Sequence, residues 1–574
     1  MTTQEHNFET EAPASTGLTN DWDTVFAIRY TDVNNAIVRA GSSPKEEFNE
    51  TITDEALRAI IADDRFGDSA TIRGFFGDWA VAPGGSGHLV MMSLPVTTVT
   101  LTRPGHDDAV RTDVTYTVRV ELKAVKRAGV NGPGGGDLYD FVLSDQGSGD
   151  LPAVTVEACI YDGWETDGFV HVFLVAAMQS WLNKNISKFS HVFATVNLNA
   201  KADHGRFDWL MPTETAYAVT DTGTLESGIF GVLCMTKNRA KPRNQQINPD
   251  ALPEGQRASF LISRDRFLKE MLAPGLGTMF TGPTKPEADM HWPDDYFVLT
   301  DNDTALTNTH SLYIESLDVG KEGKPENVRA HLEAAGLNAK LEETYLNVHI
   351  RDLTHPYYKV LGDWWLKVHH TITTRNVARL TDDQVFDLIP LSETLGNYTM
   401  QHEAVALKTK WAKRITWAEI FVGLVALALP LARAGWLRCV AGEAEEIEQG
   451  AMALNMVEAE GPVINAEAEN LAQEGAQGAL GMIQNGVARL GSWIVGSFQS
   501  WRGRLIWAMS ATLTTEQILA EIADEKAGDK LPKYDEFAAS VMAPVQWPDA
   551  QDFEVTAVQF NGSFQTFGDP KFAE

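Results

Sequence analysis

The chain has 574 residues, 44% hydrophobic and 22% charged, a globular composition with length for two to four domains that excludes wholesale disorder. Its 78 acidic against 47 basic residues leave a formal net charge of −31, which argues against nucleic acid as a partner and disfavours adhesion to an anionic membrane through bulk charge. Cys159, Cys234 and Cys439 lie far apart without metal-ligand spacing and read as small buried hydrophobes.

Residues 1–17 are acidic and polar without an apolar run, and read as a loose tail with no Sec signal. Cytoplasmic synthesis is therefore expected, with any release by a non-Sec route. Residues 20–41 suggest a short strand and then a helix started by Thr31 or Asp32 and stopped by Gly41. A second helix is expected over 53–67. Strands follow at 75–82 and, past the turn 83–87, at 88–101. The cleanest alternation comes next, with Val114, Tyr116, Val118, Val120 and Leu122 set against Thr115, Thr117, Arg119, Glu121 and Lys123. The glycine-rich stretch 129–136 reads as a hairpin loop, followed by two more strands.

From Gly168 the chain turns apolar on every side for about twenty residues, with Lys184 the one charge before Lys188. That is too polar at its end for a membrane span and too apolar for a surface helix, so a buried helix is expected. The pattern then switches to period two, with Val192, Ala194, Val196 and Leu198 on one side and Phe193, Thr195, Asn197 and Asn199 on the other. Further strands are expected at 215–221 and 228–236. The polar, proline-bearing segment 241–256 reads as a linker. These readings predict an α+β fold in which curved antiparallel sheets wrap long helices. They divide the chain into a first module, 18–240, and a second, 257–574.

The second module opens with the strand ASFLIS and a helix carrying Phe267, Leu268, Met271 and Leu272 on one face, capped by Ser263. Strands are readable at 296–300, 311–318, 344–351, 358–374 and 396–407, while 381–389 suits either a strand or a capped helix. Residues 408–501 have a helical texture and read as an insertion. Within it only thirteen consecutive residues, 420–432, are uncharged, short of the roughly twenty a span needs. A packed helix is the first reading there, and a pH-dependent peripheral membrane element the second. In the second reading Lys408, Lys410, Lys413 and Arg414 would meet headgroups, and Phe421 and Leu424 would enter the apolar boundary. A capped helix from Thr514 and a strand pair over 552–567, turning at Asn561-Gly562, close the chain.

No catalytic or metal-binding constellation stands out. His369 and His370 are strand neighbours facing opposite ways, and Asp301-x-Asp303 lacks the glycine and terminal glutamate of a calcium loop. No cofactor and no metal are expected, and the chain does not read as an enzyme.

Several stretches resemble the OrfX-type accessory family, including its forty-seven-kilodalton clostridial member, encoded beside botulinum neurotoxin. They are NDWDTVFAI, FFGDWAVAPGGSG (75–87), LNKNISKFSHVFATVNL (182–198), DWLMPTETAYAV (208–219), GVLCMTKNR (231–239) and ASFLISRDRFLKEMLAPGL (258–276), in order over residues 18 to 280. The resemblance implies a tubular lipid-binding (TULIP) fold with an apolar groove, and binding of lipids rather than catalysis. Such a groove would hold an acyl chain because each buried CH2 contributes about 0.8 kcal/mol. Candidate lining positions are Val33 and Ile37, Val172, Phe173, Ala176 and Ala177, and Phe267 and Met271; each is also what ordinary core packing asks for. The alternative use of the same fold is a closed-core scaffold that binds other proteins of its gene cluster.

Overall fold

A computed structural model describes residues 18–53, 69–132, 135–147, 152–199, 208–274, 276, 280, 296–318, 327–361, 364–380, 386–390, 398–406, 544–548 and 550–572. The expected helices at 53–67 and after Thr514, the insertion 408–501, Cys439 and all six proposed membrane-contact residues lie outside this set, apart from Thr53. The chain forms two compact units. The first is Met1–Ser263 with Ala538–Thr556 and Gln565–Glu574; the second is Arg264–Phe537 with Ala557–Phe564.

Three sheets build the first unit, and strand pairing within them is antiparallel. At the centre of one lies β1 (Thr24–Arg29), flanked by β12 (Ile229–Thr236) and β13 (Ala258–Ile262). All three strands are buried along their whole length, so they are mostly apolar on both faces and show no alternation. Outside β12 lies β11 (Pro212–Thr220); beyond β13 come β25 (Phe564–Phe572) and β24 (Ala550–Phe560), a hairpin turning at Asn561 to Ser563. Helix α1 (Tyr30–Ala40) leaves β1 directly and ends at Gly41 in the left-handed region, φ 57°. Neither Thr31 nor Asp32 caps its start; the Asp32 carboxylate instead accepts from Arg257 at 2.5 Å.

The second sheet runs β2 (Phe48–Ile52), β3 (Ala70–Phe76), β5 (Leu89–Thr102), β6 (Ala109–Val120) and β9 (Val154–Ile160), with β4 (Ala80–Ser86) also on β5. The alternation expected over 114–122 is realised in burial, with Val114, Tyr116, Val118, Val120 and Leu122 all buried, but the strand breaks at Glu121 and Leu122 opens the next one, in another sheet. The glycine-rich turn expected at 83–87 is instead mostly strand, within β4. The third sheet is β7 (Leu122–Asn131), β8 (Asp137–Leu143), β10 (Ala194–Leu198) and β23 (Val545–Gln546). Strand β10 is not half-exposed as its period suggested. Thr195 and Asn197 are buried too, with Thr195 donating to Asp140 at 2.7 Å and β23 covering the other edge.

The segment 241–256, read as a linker, packs as cover on the first unit. Ile247, Ala251 and Leu252 join the buried cluster of Trp22, Val25, Leu233 and Leu261. Arg29 ties the segment down by donating to the carbonyls of Leu252 (2.7 Å), Pro253 (2.5 Å) and Gln256 (2.9 Å), and to that of Ser227 (3.2 Å). The ASFLIS strand is β13 itself, and the compact unit runs to Ser263.

In the second unit the one-turn helix Arg264–Arg266 runs into a π-helix, Phe267–Leu272, in place of the regular helix expected. The wider turn buries Phe267, Leu268, Met271 and Leu272 together. A nine-stranded antiparallel sheet follows: β14 (Phe297–Thr300), β15 (Ala305–Asn308), β16 (Leu312–Asp318), β17 (Asn327–Leu332), β18 (Leu337–Leu341), β19 (Leu346–Leu361), β20 (Trp364–Leu380), β21 (Phe386–Pro390) and β22 (Tyr398–Ala406). Register shifts at Ile350/Leu353 and Tyr357/Leu361 add twist to the long β19–β20 ribbon and curl it. The ambiguous 381–389 segment contributes a strand, β21.

Candidate functional site

The apolar run from Gly168 is helix α2 (Gly168–Asn185), lying on the second sheet against β2, β3 and β9. Phe173, Leu174, Ala176, Ala177, Met178, Trp181 and Leu182 are buried. At its start Asp167 accepts from Arg111 Nε at 2.8 Å and from Arg111 Nη2 at 2.5 Å. Aromatic rings fill the space beneath: Phe76 lies 4.7 Å from Phe48 and 5.2 Å from Trp181, and Trp79 stacks on Phe189 at 4.9 Å.

Four polar residues of α2, Gln179, Ser180, Asn183 and Lys184, are engaged with the sheet. Asn183 accepts from Val154 N at 3.1 Å and donates to Val154 O at 2.8 Å, while Gln179 accepts from Val156 N at 3.3 Å. Two side-chain amides one helical turn apart thus stand in for a missing strand along the edge of β9. Ser180 donates to Glu50 at 2.6 Å and Lys184 pairs with the same carboxylate. Sequence reading missed these roles. The signal was present as a Gln-x3-Asn pair, at i and i+4, inside an otherwise apolar helix.

The eight candidate lining residues occupy separate settings. Phe173, Ala176 and Ala177 are buried in the packing of α2, and Val172 is half-buried. Val33 and Ile37 are buried on α1, which packs on β1, β4 and β12. Phe267 and Met271 are buried in the second unit, where Phe267 stacks on Phe564 at 5.5 Å and meets Phe560 edge-on at 5.2 Å.

Two hollows of the first unit are small. One, of about 10 Å³, is lined by Asp32, Val33, His191, Phe193 and Trp547 among others. The second, of about 20 Å³, lies beside Arg119, Glu121 and Thr155. On this measure one water needs roughly 10–15 Å³, so neither admits an acyl chain. His191, in the first, is 2% exposed. Its Nδ1 lies 3.1 Å from Ser42 Oγ, its Nε2 has no hydrogen-bond partner, and burial pulls its pKa down to about 4. Among the described residues no group of His, Cys, Asp or Glu is placed to hold a metal, and no helix is long and apolar enough to cross a membrane.

The model of the OrfX-like family, described as Protein OrfX2/OrfX3/P47, matches residues 19–352. The chain belongs to the OrfX-like family. Relatives within it include Protein OrfX3 of Paraclostridium bifermentans, 27% identical over 307 residues, which is 46% of this chain and 55% of that protein. Protein OrfX3 of Clostridium botulinum (strain Kyoto / Type A2) is 28% identical over 338 residues, 54% of this chain and 63% of that one. The match thus spans little more than half the length of these OrfX3 relatives. Among solved structures, P47 from Clostridium botulinum A2 superposes with a TM-score of 0.56 at 12% identity, covering 96% of this chain and 97% of P47. P47 of Clostridium botulinum E1 gives 0.53 at 13% identity, covering 96% and 99%. At such identities the likeness establishes a shared fold, in keeping with the α+β architecture of antiparallel sheets and few helices.

Proposed function

We propose that this OrfX-like chain is a non-enzymatic accessory protein of a toxin locus that works through its surface, docking other proteins of that locus. The observation that carries this reading is the close packing of the described residues of the first unit. Helix α2 is tied to its sheet by Gln179, Ser180, Asn183 and Lys184, and the hollows beside α1 and β6 each take about one water. With a net charge of −31, a partner presenting basic residues would be steered to it. The test is co-expression with the products of neighbouring genes, followed by size-exclusion chromatography. Stoichiometric co-elution with one of them is expected, and separate elution from every one overturns the docking role.

Lipid carriage is the second reading, favoured by one observation. Helix α2 is apolar all round, yet Val172 and Val175 on one side of it stay only half-buried. With the tubular lipid-binding fold implied by the resemblance, that strip is where an acyl chain would lie. Enriched lipid in organic extracts of the native protein, together with uptake of a fluorescent fatty acid, would support it.

A further inference from the structure

The small hollow beside α1 is closed by a strap. Residues 544–548 cross the free edge of β10: Val545 pairs with Val196 and Gln546 with Thr195. Pro544 O accepts from Asn197 N at 2.8 Å. Trp547, 5% exposed, sits edge-on to Phe230 at 6.0 Å and, with Pro548, lines the hollow into which His191 also faces. Two ladder residues and one tryptophan are a slender hold, of the kind expected to open locally before the rest of a fold.

We propose that the neutral His191 ring latches the strap 544–548 over β10, and that protonating this ring in acid releases it. His191 is buried among Phe189, Phe193 and Trp547, with Ser42 on Nδ1 and an unpaired Nε2, so an imidazolium would have no counter-charge of its own. Among the described residues, the charged groups around the hollow do not supply one. From α1, Asp32 is committed to Arg257 at 2.5 Å. From β25, Phe572 carries Arg39 at 4.2 Å and Arg257 at 5.9 Å over its ring, both cations. Lys571 pairs with Glu554 at 2.5 Å, Lys188 with Glu46 at 3.4 Å, and the strap itself has no ionisable side chain. The ring is held neutral when the strap is closed, with its pKa drawn down to about 4. In the open form water would restore the ordinary value of about 6.5. The closed form binds the proton more weakly, so closure is complete above about pH 6.5 and weakens as pH falls towards 4, by up to a few hundred-fold.

The experiment is hydrogen exchange of the full chain between neutral pH and pH 4.5, corrected for intrinsic rates and read on peptides covering the strap and, as control, β1. The strap peptide is expected to lose at least tenfold in protection while β1 holds, and His191→Gln is expected to abolish the pH dependence. His191→Met serves the same purpose if the glutamine variant does not fold. Unchanged strap protection in acid, loss shared with β1, or the same loss in the variants each overturns the proposal.

Discussion

Asn183 shows how one side chain can decide the fate of a sheet edge. Its amide both donates to and accepts from Val154, so Asn183→Leu strands a buried N–H and a carbonyl of β9. A loss of about 2 kcal/mol is expected, read as a lower urea midpoint at unchanged slope. Arg29 is the other such residue, since its guanidinium serves four carbonyls. Arg29→Met should cost about 3 kcal/mol and make 249–257 the first site of limited proteolysis. The two described cysteines make a chemical prediction. Burial pushes both thiols up to about 12, so at pH 8 the native chain keeps Cys159 and Cys234 almost wholly protonated. Peptide-level mass spectrometry should find both unalkylated by iodoacetamide in buffer and fully alkylated in urea.

At the scale of elements, what could be read from the chain was whatever depends on near neighbours. The apolar run from Gly168 declared a buried helix, the alternation from Val114 to Leu122 declared a half-buried strand, and Gly41 marked a helix end by its left-handed backbone. Reading failed where a distant partner decides. Asp32 resembles a helix cap in sequence but is taken by Arg257, which lies 225 residues away. Segment 241–256 has linker composition, yet Arg29 and the pocket around Trp22 hold it as part of the sheet's cover. Strand β10 looked half-exposed because β23, which covers its edge, returns from far along the chain. The site was less legible than the fold. The lining residues proposed for the groove that the resemblance implies are mostly buried, as core residues are, and sequence pattern carries no information about the volume left between them.

For the whole molecule, acidity sets how any docking partner is met. Association with a basic partner should slow several-fold between about 0.05 and about 0.5 M salt, while dissociation changes less, as surface plasmon resonance would record. The central claim is that the protein works through its surface and carries no acyl chain inside. Native mass spectrometry of the freshly purified full chain tests it most directly. The account predicts the mass of the bare polypeptide; a stoichiometric adduct with the mass of an acyl lipid would contradict it.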